Sequence, residues 1–277
     1  MSQTDSYPRT FHLDGSGLGD GSSSRSRLAW ADLANENVVL EEKMDGSETS
    51  FEFDADANPL VCFRGSPLDL TARGGAERPF DRLKDWFSLH QDEFFDRFED
   101  RYRVYGEWLY AAHRIFYDRL PDYFLEFDML DKARGVFLDT PSRRALLSDL
   151  YTVHSVRVIY EGQAGKSHHP SKFDHLSAYR SETIEASAKL ACRIPGQGVE
   201  GFLARIDSGR LMEGVYGKVE ENGTVTRRFK WVRPDFVGSI AAHGKHWRDM
   251  PLVPNLLAAG ERSFCPDVIR RSGGSGP

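Results

Sequence analysis

The stretch from Val38 to Phe53 constrains this chain more than any other. Val38-Val39-Leu40 is apolar, Phe51-Glu52-Phe53 alternates, and Glu41-Glu42-Lys43-Met44-Asp45-Gly46-Ser47 lies between them. An apolar run, a tight turn and an alternating run predict two β-strands joined at an Asp-Gly turn. The turn presents one lysine with carboxylates on both sides. A lysine that is held in place and can lose its proton is a covalent nucleophile. In a solvated Asp-Gly turn it is only a surface charge, so the rest of the chain must decide.

The chain has 277 residues, 40% hydrophobic and 12% aromatic, enough for one large domain or two small ones around a buried core. No apolar run approaches the length of a membrane span, and the N-terminus lacks the apolar stretch of a signal peptide. Cys62, Cys192 and Cys265 lie far apart and form no C-x-x-C pair. That pattern suits reduced thiols and a cytoplasmic location. A net charge of −6 does not suit a protein that neutralises many phosphates. Any nucleic-acid contact must therefore come from a local patch.

Residues 1–36 are rich in Gly, Ser and Asp, especially over 14–24, and are expected to form a flexible arm. Three strands follow over 38–64. The last delivers Arg64 at a strand end, where a guanidinium can fork onto phosphate. Leu83, Trp86, Phe87, His90, Phe94, Phe95 and Phe98 recur at helical spacing and predict an amphipathic helix over 79–100, with a possible break near Ser88. Tyr102 to Tyr105 is a strand that runs into Gly106-Glu107-Trp108. Tyr123 to Leu130 is another, and its Glu126 and Asp128 need a partner, water or a ligand, because acids are disfavoured inside strands. Phe127 alternates to the opposite face from both.

Thr140-Pro141 predicts a helix start with Thr140 as cap, running to Leu150. A strand is expected over 152–160 and a helix over 173–191. The adjacent His168-His169 point different ways and do not suit a metal site. Asn222-Gly223 between alternating segments over 211–219 and 224–232 predicts a hairpin. Its second strand carries Arg227, Arg228, Lys230 and nearby Arg233, the clearest basic patch in the chain. A helix from Phe236 and a peripheral tail over 251–277 end it. The expected fold is α+β, with largely antiparallel sheets flanked by helices and its main domain at 37–250.

Four separated features now stand in one order: Lys43-Met-Asp-Gly46, Gly106-Glu107-Trp108, Leu125-Glu-Phe127-Asp128, and Glu213-Gly214 followed by Phe229-Lys230-Trp231. This series resembles the motifs of the covalent nucleotidyltransferases. It is closest to ATP-dependent RNA ligases of the RNA ligase 2-like type, in particular bacterial RNA-repair ligases, over residues 9–250. Arg9-Thr-Phe-His-Leu-Asp-Gly-Ser16 and Tyr105-Gly-Glu-Trp-Leu-Tyr110 are similar to that group as well. The resemblance implies an ATP-grasp-like adenylation domain, and the stretch expected after its terminal helix is too short for the OB-fold that follows it in typical DNA ligases and capping enzymes. The resemblance also implies a lysyl-AMP intermediate on Lys43, and transfer of AMP to an RNA 5′-phosphate followed by sealing to a 3′-hydroxyl.

By the same resemblance Glu42 meets the adenine edge, Glu107 the ribose and Phe127 the base. Arg64 and Lys230 meet phosphate, and Asp45, Gly46 and Lys218 complete the nucleotide site. Glu107 and Glu213 hold Mg²⁺ or Mn²⁺, directly or through water. Partners would be RNA ends and an end-healing kinase or phosphatase, with no membrane. Cations near Lys43 would favour its neutral, reactive amine.

Three departures stand out. Glu48 replaces an asparagine common in relatives, and its negative charge opposes an incoming 5′-phosphate. The run Arg228-Phe-Lys230-Trp-Val-Arg233 leaves the register of the last motif open by two positions. Glu200-Gly201 competes with Glu213-Gly214, and Glu213 is preferred because Lys218 trails it. A DNA-nick ligase, a GTP-using capping-type enzyme and a non-catalytic RNA-binding relative are the alternatives.

Overall fold

In a two-layer protein, alternation along each strand decides which side chains meet the opposite layer. In the computed structural model, which describes residues 7–18, 27–192, 199–207, 209–241 and 252–258, alternation produces an unusual result. The strands are β1 (Phe11–Leu13), β2 (Arg27–Leu28), β3 (Asn37–Lys43), β4 (Ser47–Phe53), β5 (Pro59–Phe63), β6 (Ser66–Pro67), β7 (Tyr102–Trp108), β8 (Phe124–Asp131), β9 (Val136–Phe137), β10 (His154–Ser155), β11 (Val158–Gln163), β12 (Gly214–Glu221) and β13 (Thr224–Val232). The α-helices are α1 (Asp81–Phe98), α2 (Thr140–Leu147), α3 (Ile184–Ala191), α4 (Val199–Arg205) and α5 (Pro234–Ala241).

One sheet runs β11-β3-β12-β13-β1-β2 and the other β10-β8-β7-β4-β5-β6, with β9 beside β8. Pairing is antiparallel except at β1–β13, β1–β2 and β8–β10. The content is therefore mixed, with mostly antiparallel sheets, as the sequence predicts.

Both sheets turn apolar faces outward onto separate cores and charged faces toward one another. Val38, Leu40, Val215, Val219, Phe229, Trp231 and Leu13 form one core with Trp30 and Leu33. Phe51, Phe53, Val104 and Met129 belong to the other, under α1, whose Leu83, Trp86, Phe87, Phe94 and Phe98 are buried. Phe94 stacks on Phe51 with centroids 4.8 Å apart, and Trp86 on Phe124 at 4.9 Å. Each such ring contributes about 1.5–3 kcal/mol by leaving water. That burial carries α1 unbroken through Ser88.

A charged seam lies between the sheets. Arg143 of α2 bridges Glu41 at 2.7 Å and Glu126 at 2.5 Å. Lys218 reaches Glu41 at 2.8 Å and the carbonyl of Phe127. Arg228 meets Asp128 at 2.8 Å. Glu126 and Asp128 thus find cationic partners rather than a ligand.

Several expectations are corrected. The described part of the 1–36 stretch holds β1 and β2, stitched into a sheet, with Leu13 buried. The α2 cap is Asp139, whose Oδ1 accepts the Ser142 N–H at 3.0 Å, while the Thr140 hydroxyl donates to Glu220 at 2.7 Å. The strand expected over 152–160 is split into β10 and β11. Only Ile184–Ala191 of the 173–191 helix forms. The residues before it are drawn into tertiary bonds instead: Tyr179 OH accepts the Arg157 N–H at 2.9 Å and Arg180 donates to the Leu211 carbonyl at 2.8 Å.

The hairpin turns where Asn222 and Gly223 both have positive φ, +51° and +82°. A two-residue turn that matches strand twist requires this. In the expected tail, Val253 is fully buried and Pro254 bridges Ala111; the rest of that call lies outside the described residues. Among the described residues no helix is long and apolar enough to cross a membrane.

Candidate active site

The seam opens at the end of β3. A cleft there is lined by Glu41, Glu42, Lys43, Met44, Glu107, Phe127, Val156 and Tyr216. Lys43 ends β3 and pairs with Gly214, which places it beside Glu213. Its Nζ lies 2.7 Å from both carboxylate oxygens of Glu213. Glu200, the competing acid, is exposed on α4. Lys43 therefore meets the acid whose chain leads directly into β12.

Burial works to lower the basicity of Lys43, but Glu213, Glu107 and Asp45 outweigh it and raise the amine above its ordinary value. The expectation that neighbouring cations keep this amine neutral is corrected: carboxylates dominate its surroundings in the ligand-free chain. Those carboxylates are strained in turn. Desolvation pushes Glu107 up to about 8 and Glu213 up to about 7, against the pull of Lys43. Glu107 Oε2 is buried with no hydrogen-bond partner among the described residues. Across the sheet Glu107 faces Glu48 in register, a second acid raised by burial and relieved by Arg64.

The Asp-Gly turn is a fixture. Burial would raise Asp45, but His113 at 3.8 Å and the N–H groups of Arg114 and Ile115, at 2.8 and 2.7 Å, hold it below the usual carboxylate range. Asp45 N–H donates to Tyr117 OH at 2.8 Å. Gly46 is there because nothing larger fits. A Cβ would come 2.6 Å from Leu109 Cδ2 and 3.1 Å from Glu107 Oε2. The turn that aims Lys43 is thus packed directly against Glu107.

Phe127 and Tyr216 face each other across the cleft, centroids 5.9 Å apart. Lys230 of β13 pairs with Tyr216 in register and is half-buried. Desolvation and then Lys43 lower its basicity. Not every residue singled out in the sequence joins this group. Lys218 is fully buried in the seam, occupied by Glu41 and a carbonyl. Glu42 borders the cleft, but its carboxylate accepts from the Ser177 hydroxyl and, at 3.1 Å, from the Ala178 N–H. Burial takes it up to about 7 despite those bonds. Arg64 is exposed at the rim, its guanidinium 5.3 Å over the Phe63 ring.

The basic patch expected on the second hairpin strand dissolves. Arg227 pairs with Glu36, Arg228 with Asp128, and Arg233 with Asp207 and Asp235. Lys230 makes no ion pair among the described residues.

Three contributors were not read as site residues in the sequence, although Tyr7 stands among the residues able to pin the N-terminal stretch to the body. Ser177 holds Glu42. Tyr7 inserts into the seam, its hydroxyl 2.6 Å from Asp128 and 2.7 Å from Tyr216, its ring edge-on to Phe127. His12 pairs with Lys230 in register. For His12 a signal existed in the alternation Phe11-His12-Leu13; for a site role of Tyr7 or Ser177 there was none.

The orphaned oxygen of Glu107, in a site shared with the Glu213 carboxylate, suits a divalent cation. Mg²⁺ commonly takes one or two carboxylates plus substrate phosphate and water, not a full protein cage. The unpartnered Glu107 oxygen is a ready ligand. Among the described residues no group of three or more His, Cys, Asp or Glu is arranged to hold a metal.

The model of the RNA ligase family matches residues 36–232. No curated protein matches the chain. Among solved structures it is similar to Naegleria gruberi RNA ligase with pyrophosphate, at 15% identity and TM-score 0.49, over 88% of this chain and 63% of that one. A mutant of that ligase with AMP and Mn gives 12% and 0.47, over 86% and 62%. Another with ATP and Mn gives 14% and 0.45, over 76% and 52%. The chain thus spans between 52% and 63% of the length of these proteins.

Proposed function

We propose that this chain, which belongs to the RNA ligase family, is an ATP-dependent RNA ligase that works through an AMP adduct on Lys43. The observation that carries the proposal is the Lys43–Glu213 pair, set at 2.7 Å beside the under-partnered Glu107 in a cleft walled by Phe127. In the first step Lys43 Nζ attacks the α-phosphate of ATP. An N–P bond forms, the bond to the β-phosphate bridging oxygen breaks, and pyrophosphate leaves. AMP then passes to an RNA 5′-phosphate, and a 3′-hydroxyl displaces it to seal the strand. An RNA-repair role, with a separate kinase or phosphatase preparing the ends, suits that substrate.

On this reading each side chain has its own work. Glu213 holds Lys43 protonated and oriented in the resting chain, so release from Glu213 must precede attack. Lys230, beside Lys43, favours the neutral amine once the carboxylate has turned away, and steadies the α-phosphate. Phe127 stacks the base against the wall that Tyr216 forms, and Glu107 reaches the ribose. Arg64, at the rim, meets the phosphate of the incoming end beside Glu48. Glu107 and Glu213 would hold a divalent cation, which supplies charge neutralisation on the phosphates. Glu42 and Asp45 brace the two ends of the nucleophile's strand and turn, and Lys218 ties the sheets.

Intact mass after incubation with ATP and Mg²⁺ tests the proposal. A gain of one AMP in the native chain and none in Lys43→Ala is expected. Absence of the gain in the native chain would overturn it, and a gain with GTP in place of ATP would point to a capping-type enzyme. Sealing of nicked RNA against nicked DNA then assigns the polynucleotide.

A further inference from the structure

The N-terminal strand brings a side chain into this site. Leu13 is buried in the outer core, so the alternation of β1 turns His12 to the seam. Phe229 and Trp231 lie in that same outer core, so Lys230 between them turns to the seam as well. The two are register partners in a parallel pair. His12 is held in place: its Nδ1 lies 3.1 Å from Ser16 Oγ, which itself accepts the Val232 N–H at 3.0 Å. Burial, then Lys230 and Lys43, lowers the imidazole to about 4, so both lysines act on it and it is neutral without ligand.

Among the described residues neither His12 nor Lys230 has a carboxylate partner. The open end of the seam therefore carries Lys230 and His12 beside Lys43 and its carboxylates, and among the described residues these two have no ion pair of their own. A ligand with several negative charges complements that set, and its arrival would restore the affinity of the imidazole for a proton.

We propose that His12, beside the Lys230 assigned above to the α-phosphate, forms the seat for the β- and γ-phosphates of ATP, and so for the pyrophosphate that departs. The assignment rests on the function proposed above. His12 donates a hydrogen bond to the departing phosphates and takes no part in bond making. It matters where pyrophosphate is present and not where it is absent.

Three assays on the full chain separate these cases: adduct formation against ATP concentration, discharge of the AMP adduct by pyrophosphate, and sealing of pre-adenylated RNA. For His12→Ala the KM values for ATP and for pyrophosphate should each rise about tenfold, as expected when one charge-assisted hydrogen bond is lost. Sealing of pre-adenylated RNA should stay within about twofold, which also shows that the variant folds. His12→Gln, which keeps a donor, should recover part of the loss. An unchanged KM for ATP, or an equal fall in all three assays, would overturn the assignment. A native chain that forms no adduct would instead remove the function on which it rests.

Discussion

The two ends of the inter-sheet seam contain the same kinds of residue and behave differently. At the closed end every charged group meets an opposite charge: Arg143 with Glu41 and Glu126, Lys218 with Glu41, Arg228 with Asp128. At the open end acids face acids, Glu107 against Glu48, and one lysine is shared among several carboxylates. Buried charges are tolerated only when paired and hydrogen-bonded. The closed end meets that condition within the chain. The open end does not meet it among the described residues, where Glu107 Oε2 is left without a partner. The difference separates a joint that holds two sheets together from the proposed site: at the joint Arg143 and Arg228 are held more firmly charged by their carboxylates, whereas burial at the open end pushes Glu107 and Glu213 toward the neutral form.

The largest test of that contrast is at the closed end. Arg143→Met leaves Glu41 and Glu126 without their shared cation and should cost about 3–5 kcal/mol in urea unfolding. A loss under about 1 kcal/mol would mean that the seam is not what joins the sheets.

Gly46→Ala sits between the two ends in effect. Its Cβ must push on Leu109 and Glu107, so a loss of about 1–3 kcal/mol is expected, with slower adduct formation because Glu107 is displaced. Full activity in this variant would separate Glu107 from the turn.

Glu107→Gln should change stability least and pH dependence most. Glu107 and Glu213 bind protons more tightly folded, up to about 8 and about 7, than at their ordinary 4.5. The folded chain therefore holds extra protons between those limits, and stability must fall as pH rises through them. Melting of the ligand-free protein should be highest near the acid end of this window and decline toward pH 8. Glu107→Gln should flatten the decline, and an unchanged slope would show that Glu107 is already ionised in the resting chain.

What the sequence made legible was local. The hairpin at Asn222-Gly223 and the turn at Asp45-Gly46 follow from backbone chemistry that two residues specify. Lys43 and Glu213 stand in separate motifs of the sequence, and the fold brings them to 2.7 Å. What was hidden was pairing between distant strands. Arg227, Arg228 and Arg233 look like a surface for nucleic acid until Glu36, Asp128 and Asp207 are placed opposite them. Lys218 has the spacing of a ligand residue, yet alternation turns it into the seam, where its amine reaches Glu41 at 2.8 Å. The helix expected beyond Phe173 had adequate propensity but lost to tertiary bonds at Tyr179 and Arg180. Short β1 shows its alternation at Phe11-His12-Leu13, but it lies beside a Gly-Ser stretch that reads as a flexible arm.

The place of β3 has a consequence for synthesis. Its neighbours are β11 and β12, and β12 in turn needs β13, which holds β1 on its far edge. The strand bearing Lys43 leaves the ribosome early, and its sheet partners leave late. The first-made strand waits even longer, for the last-made one. Contacts of such wide sequence separation form slowly. No nascent chain shorter than Glu213 contains the carboxylate that Lys43 grips, so a growing polypeptide cannot assemble this site before most of it has been made.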